Sequence, residues 1–341
     1  MENKVTIEDV ARLAHVSRAT VSRVLNEHPN ISDDVRKRVL KVMEETGYRP
    51  NTVARSLAGK RSTNIGVAVF GLHPNYLAHG VFQEAIMGIQ EVLTDSDYDL
   101  LLYSSHGHAD DKFCRQILAK AQVDGLVVMG ELVAPEHLQV LIGGGLPVVT
   151  VGRKDGPPVP YVSVDNIRGA HLAAEHLIRL GHRRIGIIRG VPGLQPGVDR
   201  LMGYQRALEG NGIAYDPTLV VVGVDKVQGR AAMEQLLSLP EPPTAVFGIS
   251  DPATIGAMEY AQERGFRVPD DVAFVGFDDI QAAGMVSPAL TTVRQPKAEL
   301  GRQAARVLLG MIGGQTMAGG ILLDPELIER DSCGAKTSYR G

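Results

Sequence analysis

From residue 64 onward the chain repeats one pattern: a short, continuous apolar run followed by a longer stretch with helical spacing. The runs are IGVAVF, YDLLLYS, VDGLVVMG, LPVVTVG, RRIGIIRG, TAVFGIS and DVAFVGF. Between them lie VFQEAIMGIQEVL, AAEHLIRLG, DRLMGYQRALEGNG and similar segments. Strands that are apolar on both faces and alternate with amphipathic helices belong to parallel sheets covered on both sides. There are too many for one small sheet, so two α/β lobes are predicted, with a break near VSVDN. LTTVRQP (290–296) then returns the chain from the second lobe to the first. Two such lobes turn the C-terminal ends of their strands toward a shared crevice, where open α/β sheets bind ligands.

The segment before residue 48 has no strand signal and reads as three short helices. Thr6-Ile-Glu-Asp9 forms a capping-box pattern, and Val10, Leu13 and Ala14 supply an inward face. His15-Val16 leads into Ser17, which can cap a second helix carrying Val21, Val24 and Leu25. So short a link forces the two helices to cross steeply, as in a helix-turn-helix. Ser32-Asp33-Asp34 opens a third helix with Val35, Val39, Leu40 and Met43 inside, and Gly47 ends it. Next, YRPNTVARSLAGKRST (48–63) has helical composition but too few large apolar residues for a core of its own. A helix of about nine residues is marginal alone, so this one is expected to order only when something holds it.

Charge supports the division. The whole chain of 341 residues carries −4, but residues 1–61 carry +4 and the remainder −8. A basic head on an acidic body suggests that only the head meets a polyanion. No apolar run approaches the length of a transmembrane helix, and the N-terminus lacks the apolar stretch of a secretory signal. Cys114 and Cys333 are far apart and match no metal or redox spacing, as expected for free thiols of a cytoplasmic protein.

TIEDVARLA, VSRATVSRVLN, GYRPNTVARSLAGKRS, LGHRRIG, SDPATIGAM, VGFDDI and SPALTTVRQP together resemble the lactose-repressor (LacI/GalR) family of bacterial transcription regulators, in that family's order from about Val5 to Cys333. The resemblance implies a multidomain chain: an all-α helix-turn-helix head and an α/β two-lobed, periplasmic-binding-protein-like body with parallel sheets. Its expected parts are the head (1–48), a hinge helix (49–62), an N-terminal lobe (63–163 and 293–324) and a C-terminal lobe (164–292 and 325–341). The expected partners are a palindromic double-stranded operator, a second copy of the chain and a small-molecule effector, with no membrane and no cofactor.

In the head, the inward valines leave Arg18, Ala19, Ser22, Arg23 and Asn26 on or near the outer surface. The resemblance puts Arg18 and Ala19 where operator sequence is read, and an arginine can pair with guanine O6 and N7. Thr6, Ser17, Thr20, Ser32 and Tyr48 complete the expected contact set, the hydroxyls of Ser17, Thr20 and Ser32 suiting phosphates. His15 stands where many members have glycine, and histidine tolerates positive φ. The resemblance assigns Asn51, Ala54 and Leu57 to the hinge helix in the minor groove, with Leu57 as a wedge between base steps.

In the body the family's effector positions fall on His79, Phe82, Arg200, Ser250, Asp251 and Asp278. An arginine and a carboxylate converging in a crevice suit a hydroxylated ligand. Asp251 can equally cap its helix, and Asp278 can simply pair with Arg200. Val224 replaces an aromatic that stacks on ligand in many members, Gly152 an aspartate, Leu194 an arginine of purine-type members, and Lys297 an aromatic. These departures weaken a purine reading most and favour a sugar or sugar derivative, Lys297 leaving room for an anionic one. An enzyme is not expected: IGGGLP (142–147) precedes a strand instead of following one, and no GxSxG, Walker A or HExxH occurs. A transporter's solute-binding protein would need a signal peptide and would not need the head. The ending LIERDSCGAKTSYRG has no leucine heptad, so a dimer is expected instead of a tetramer.

Overall fold

The computed structural model describes residues 5–25, 28, 30–48, 62–70, 80–104, 111–130, 133–154 and 156–334. Asn26, Asn51, Ala54, Leu57 and His79, and with them the predicted hinge helix, lie outside the described residues. The chain divides into two compact units, Met1–Ser62 and Thr63–Gly341.

The first unit holds α1 (Ile7–Leu13), α2 (Arg18–Leu25) and α3 (Asp33–Thr46). Thr6 and Asp9 form a complete capping box: Asp9 N–H donates to Thr6 Oγ1 at 3.3 Å, and Thr6 N–H donates to Asp9 Oδ2 at 3.1 Å. His15 adopts φ +53°, so the tight turn into α2 forms without glycine. Ser17 Oγ then accepts the Thr20 N–H at 3.1 Å, which caps α2. Val10, Ala11, Ala14, Val21, Val24 and Val39 make the core. Leu13 and Leu40, expected inside, are instead half exposed. Each sits one helical step from a residue that does face inward (Ala14 and Val39), and a 100° rotation carries it off the buried face.

The second unit contains two six-stranded sheets. The first comprises β1 (Asn64–Phe70), β2 (Asp99–Ser104), β3 (Gly125–Gly130), β4 (Val148–Val151), β5 (Tyr161–Val164) and β11 (Gly320–Leu323), in the order β11-β5-β4-β3-β1-β2, all parallel. The second comprises β6 (Ile185–Arg189), β7 (Val220–Val222), β8 (Ala245–Gly248), β9 (Ala273–Asp278), β10 (Thr291–Arg294) and β12 (Glu326–Ile328), in the order β12-β10-β9-β8-β6-β7. Only β12 runs antiparallel to its neighbour in this sheet.

Helices cover both faces of both sheets. The first carries α4 (Gly80–Thr94), α5 (Asp111–Lys120), α6 (Pro135–Gly143) and α11 (Lys297–Ile312). The second carries α7 (Asn166–Arg179), α8 (Gln195–Gly210), α9 (Lys226–Leu237) and α10 (Asp251–Glu263). Full burial of side chains such as Phe70, Phe247 and Phe274 stabilises each sheet by roughly 1.5–3 kcal/mol apiece. Two helix pairs meet backbone to backbone. A Cβ on Gly301 of α11 would lie 1.9 Å from the Ala85 carbonyl oxygen of α4, and one on Gly256 of α10 2.0 Å from that of Lys226.

The chain passes between the sheets three times: from β5 into α7, from β10 into α11, and from β11 to β12. Among the described residues, no helix is long and apolar enough to cross a membrane.

Candidate functional site

A cavity of about 280 Å³ lies between the C-terminal ends of the two sheets. The first sheet lines it with Met129 and Gly130 at the end of β3, Val151, Gly152 and Lys154 at and after β4, and Val164 of β5. Phe82, in the first turn of α4, adds a wall and is the aromatic among the described lining residues. The second sheet contributes Gly190 after β6, Val224 after β7, Ile249 and Ser250 after β8, Asp278 ending β9, and Gln295 after β10.

The polar floor belongs to the second sheet. Arg200 is 8% exposed; its Nε donates to Asn166 Oδ1 at 2.8 Å and its Nη1 to the Ile249 carbonyl at 2.5 Å. The same nitrogen lies 3.6 Å from Asp278 Oδ1, and the guanidinium carbon sits 3.7 Å above the Phe277 ring. Asp278, also buried, accepts from Gln295 Nε2 at 2.5 Å. The Arg200–Asp278 pairing, left open above as an alternative to a ligand contact, is therefore present at the cavity surface. Asp278 and Asp279 have φ of +117° and +51°. Two successive non-glycine residues in that region are costly and are held by their surroundings.

The structure brings Phe82, Arg200, Ser250 and Asp278 around this cavity but not Asp251. That expectation is corrected. Asp251 is fully buried behind the cavity, where Oδ1 accepts from Thr292 Oγ1 at 2.5 Å and Oδ2 from the Ile280 N–H at 2.9 Å. It fits there because Gly276 has no side chain; a Cβ would lie 2.2 Å from Asp251 Oδ1. Burial, reinforced by Asp278, raises the Asp251 carboxyl well above the usual carboxylate range. Nor does Asp251 cap its helix: it is the first helical residue, and Ser250 occupies the cap.

Lys297 is the second correction. Its Nζ donates to the Asp279 carbonyl at 2.7 Å and pairs with Glu84 Oε1 at 2.9 Å, and it does not line the cavity. The charge that seemed to favour an anionic ligand is thus matched elsewhere. The sequence reading missed Lys154, whose ammonium donates to the Gly130 carbonyl at the cavity edge, and Asn166, which holds Arg200. Both follow strand ends on the crevice side, and that position was the available signal.

On the head, Arg18, Ala19 and Arg23 are exposed, and Thr20 and Ser22 are partly so, opposite Val21 and Val24. Arg18 Nη1 lies 3.2 Å from Glu8 Oε1, with both side chains more than half exposed. Such a surface pair contributes little and exchanges readily for another anion. Ser17 and Thr20 hydroxyls lie 2.9 Å apart, so each has one hydrogen-bonding direction committed. Thr6 is engaged in its capping box, while Ser32 opens α3 without a side-chain cap bond. Tyr48 packs against the head core, and burial raises its phenol pKa.

A helix exposing Arg18, Ala19 and Arg23 on a small all-α head, in a chain that also has a two-sheet body with a charged cavity between strand ends, is the arrangement of a DNA-binding regulator with an effector-binding body. Residues 6–51 match the model for bacterial regulatory proteins of the lacI family, and residues 174–333 match the periplasmic binding protein-like domain. Catabolite control protein A of Priestia megaterium is 36% identical over 332 residues, covering 95% of this chain and 98% of that protein. The HTH-type transcriptional repressor CytR of Escherichia coli (strain K12) is 36% identical over 336 residues, 97% of each. Among solved structures, the lac repressor dimer bound to operator and the anti-inducer ONPF superposes with a TM-score of 0.83 at 29% identity, covering 97% of this chain and 99% of that one. The CelR–cellobiose complex gives 0.74 at 34% identity, covering 96% and 99%. The chain belongs to the lacI family of bacterial transcription regulators. It is not a transporter's binding protein, and the relatives named are regulators, not enzymes.

Proposed function

We propose that the chain is a homodimeric repressor whose grip on a palindromic operator is set by a sugar or sugar derivative bound between the two sheets. The buried Arg200–Asp278 pair, braced by Asn166 and Gln295 on the cavity floor, carries this reading. Fixed donors and acceptors of both charges suit a ligand whose hydroxyls both give and accept hydrogen bonds. The effector contacts are Arg200, Asp278, Ser250 and Phe82, joined by His79, which lies outside the described residues. That solved relatives were captured with cellobiose or ONPF supports the ligand class.

The head contacts are Thr6, Ser17, Arg18, Ala19, Thr20, Ser22, Arg23, Ser32 and Tyr48, with Asn26, Asn51, Ala54 and Leu57 beyond the described residues. In this scheme residues 1–48 read a half-site, 49–62 form the hinge, and the two lobes hold the effector, their expected boundaries moved by a residue or two because β5 carries Val164 into the first sheet and β10 keeps Val293 and Arg294 in the second. The protein acts in the cytoplasm, by binding without catalysis. A thermal-shift screen of sugars, sugar phosphates and nucleosides tests the effector class: the correct ligand raises Tm with the logarithm of its concentration. No response to any sugar, with a response to nucleosides, sinks the carbohydrate reading. Linkage requires the hit to shift operator affinity by the factor by which operator shifts its own, and the direction of that shift identifies it as inducer or co-repressor. Arg18→Ala should relax base preference at one half-site position, by roughly 1–3 kcal/mol of lost discrimination. A uniform loss across all operator sequences would refute base reading by Arg18.

A further inference from the structure

Two residues of the second lobe place charges in the cavity, and each has a chain neighbour that reaches toward the first lobe. Arg200 is preceded on α8 by Asp199, 9% exposed. Asp199 Oδ1 accepts from Gln195 Nε2 at 2.7 Å and, across the crevice, from Arg153 Nη2 at 3.2 Å; Arg153 follows β4 of the first sheet. Asp278 is followed by Asp279, whose carbonyl accepts from Lys297 Nζ at the start of α11. Lys297 is 4% exposed and is held in turn by Glu84 of α4, so this contact also ends on a first-lobe helix. The Asp279 carboxylate is tied to Arg294 at 2.7 Å and Arg330 at 2.6 Å, so its peptide cannot swing independently of the second lobe.

We infer that Arg153–Asp199 and Glu84–Lys297–Asp279 are two clasps across the crevice that set the relative orientation of the lobes. The inference rests on the cavity being the effector site, since it adds the means by which occupancy acts: a ligand that draws in Arg200 or Asp278 moves a clasp one peptide unit away. The two clasps differ in kind. Arg153 is 46% exposed and meets a nearly buried carboxylate, a partner poorly solvated without it. Lys297 is itself buried, and its contact to a carbonyl resists salt.

The test needs no effector. Spin labels on Gln139→Cys and Gln235→Cys, both exposed and one on each lobe, report the interlobe distance in the full chain, diluted into unlabelled chain. Cys114 and Cys333 are buried. Arg153→Glu sets like charges face to face and should broaden the distance distribution about twofold or shift it outright. Arg153→Lys should restore it, and Glu84→Gln should loosen it less. An unchanged distribution in Arg153→Glu overturns the inference; should that variant fail to fold, Arg153→Gln is measured against the same criterion. Operator binding is assayed separately on the unsubstituted chain. Its absence would sink the repressor reading and leave the distance result standing, whereas rigid lobes with normal operator binding would sink only the clasps.

Discussion

The two lobes have nearly the same architecture but meet the cavity with different chemistry. The second supplies Arg200, Asp278, Asn166, Gln295 and Ser250, a braced array in which the two charges lie 3.6 Å apart. The first supplies mostly apolar wall, Phe82, Met129, Val151 and Val164, with the Lys154 amine at the rim. The contrast implies a division of labour. On the proposed function, the braced lobe would orient a ligand through groups already fixed before it arrives, and the apolar lobe would shield it from water.

The largest effect should come from removing the polar centre of the second lobe. Arg200→Ala leaves Asp278 buried without its cation and should destabilise the body by about 3–5 kcal/mol, read by urea denaturation, besides abolishing effector binding. Phe82→Ala should weaken binding of the ligand found by thermal shift with much less effect on stability. Equal stability losses for the two would erase the distinction between the lobes.

Packing should not share the asymmetry. Gly301→Ala in the first lobe and Gly256→Ala in the second each drive a methyl into a carbonyl, and each should cost about 1–3 kcal/mol. A large difference between them would mean that one helix crossing yields where the other does not.

The proton-linked effects oppose each other in sign. Asp251 has its carboxyl pKa raised by burial, so its contribution is full at low pH and is lost as pH climbs from the ordinary carboxylate range through the raised value. Asp9, on the head, is lowered to about 2 by the Thr6 hydroxyl and backbone N–H and by Arg12, so its contribution is present above the ordinary range and lost as pH falls toward 2. Asp251→Asn and Asp9→Asn should each flatten the corresponding slope, followed by tryptophan-free probes such as circular dichroism of the body and of the head.

The fold could be read from the chain because strand and helix periods are strong signals wherever one face is fully buried. Val10, Val21, Val24 and Val39 announced themselves by spacing, and so did each apolar run of the sheets. Leu13 and Leu40 misled because a leucine beside an inward-facing residue still matches a helical stripe. The site was less readable. In GISD, sequence alone cannot say that Ser250 faces the cavity while Asp251 turns behind it, because Gly276, 25 residues on, decides that by leaving space. Lys297 matched a crevice position in the family's order, but its charge was answered by Glu84, more than two hundred residues earlier. Asn166 and Lys154 carry no motif and became visible only when strand ends were brought together.

The three passages between the sheets also govern how the molecule can be made. The first sheet lacks its edge strand until Gly320–Leu323 emerges, and its core lacks Leu300, Ala304 and Leu308 until α11 does. The second awaits β12 and then Ser332, whose hydroxyl joins the Thr291 N–H to the Phe274 carbonyl. On the ribosome the DNA-reading head is therefore finished hundreds of residues before either lobe. A prematurely terminated chain would carry a folded head on a body that cannot close, and its exposed apolar core would direct it to aggregation or proteolysis before it could occupy an operator unregulated.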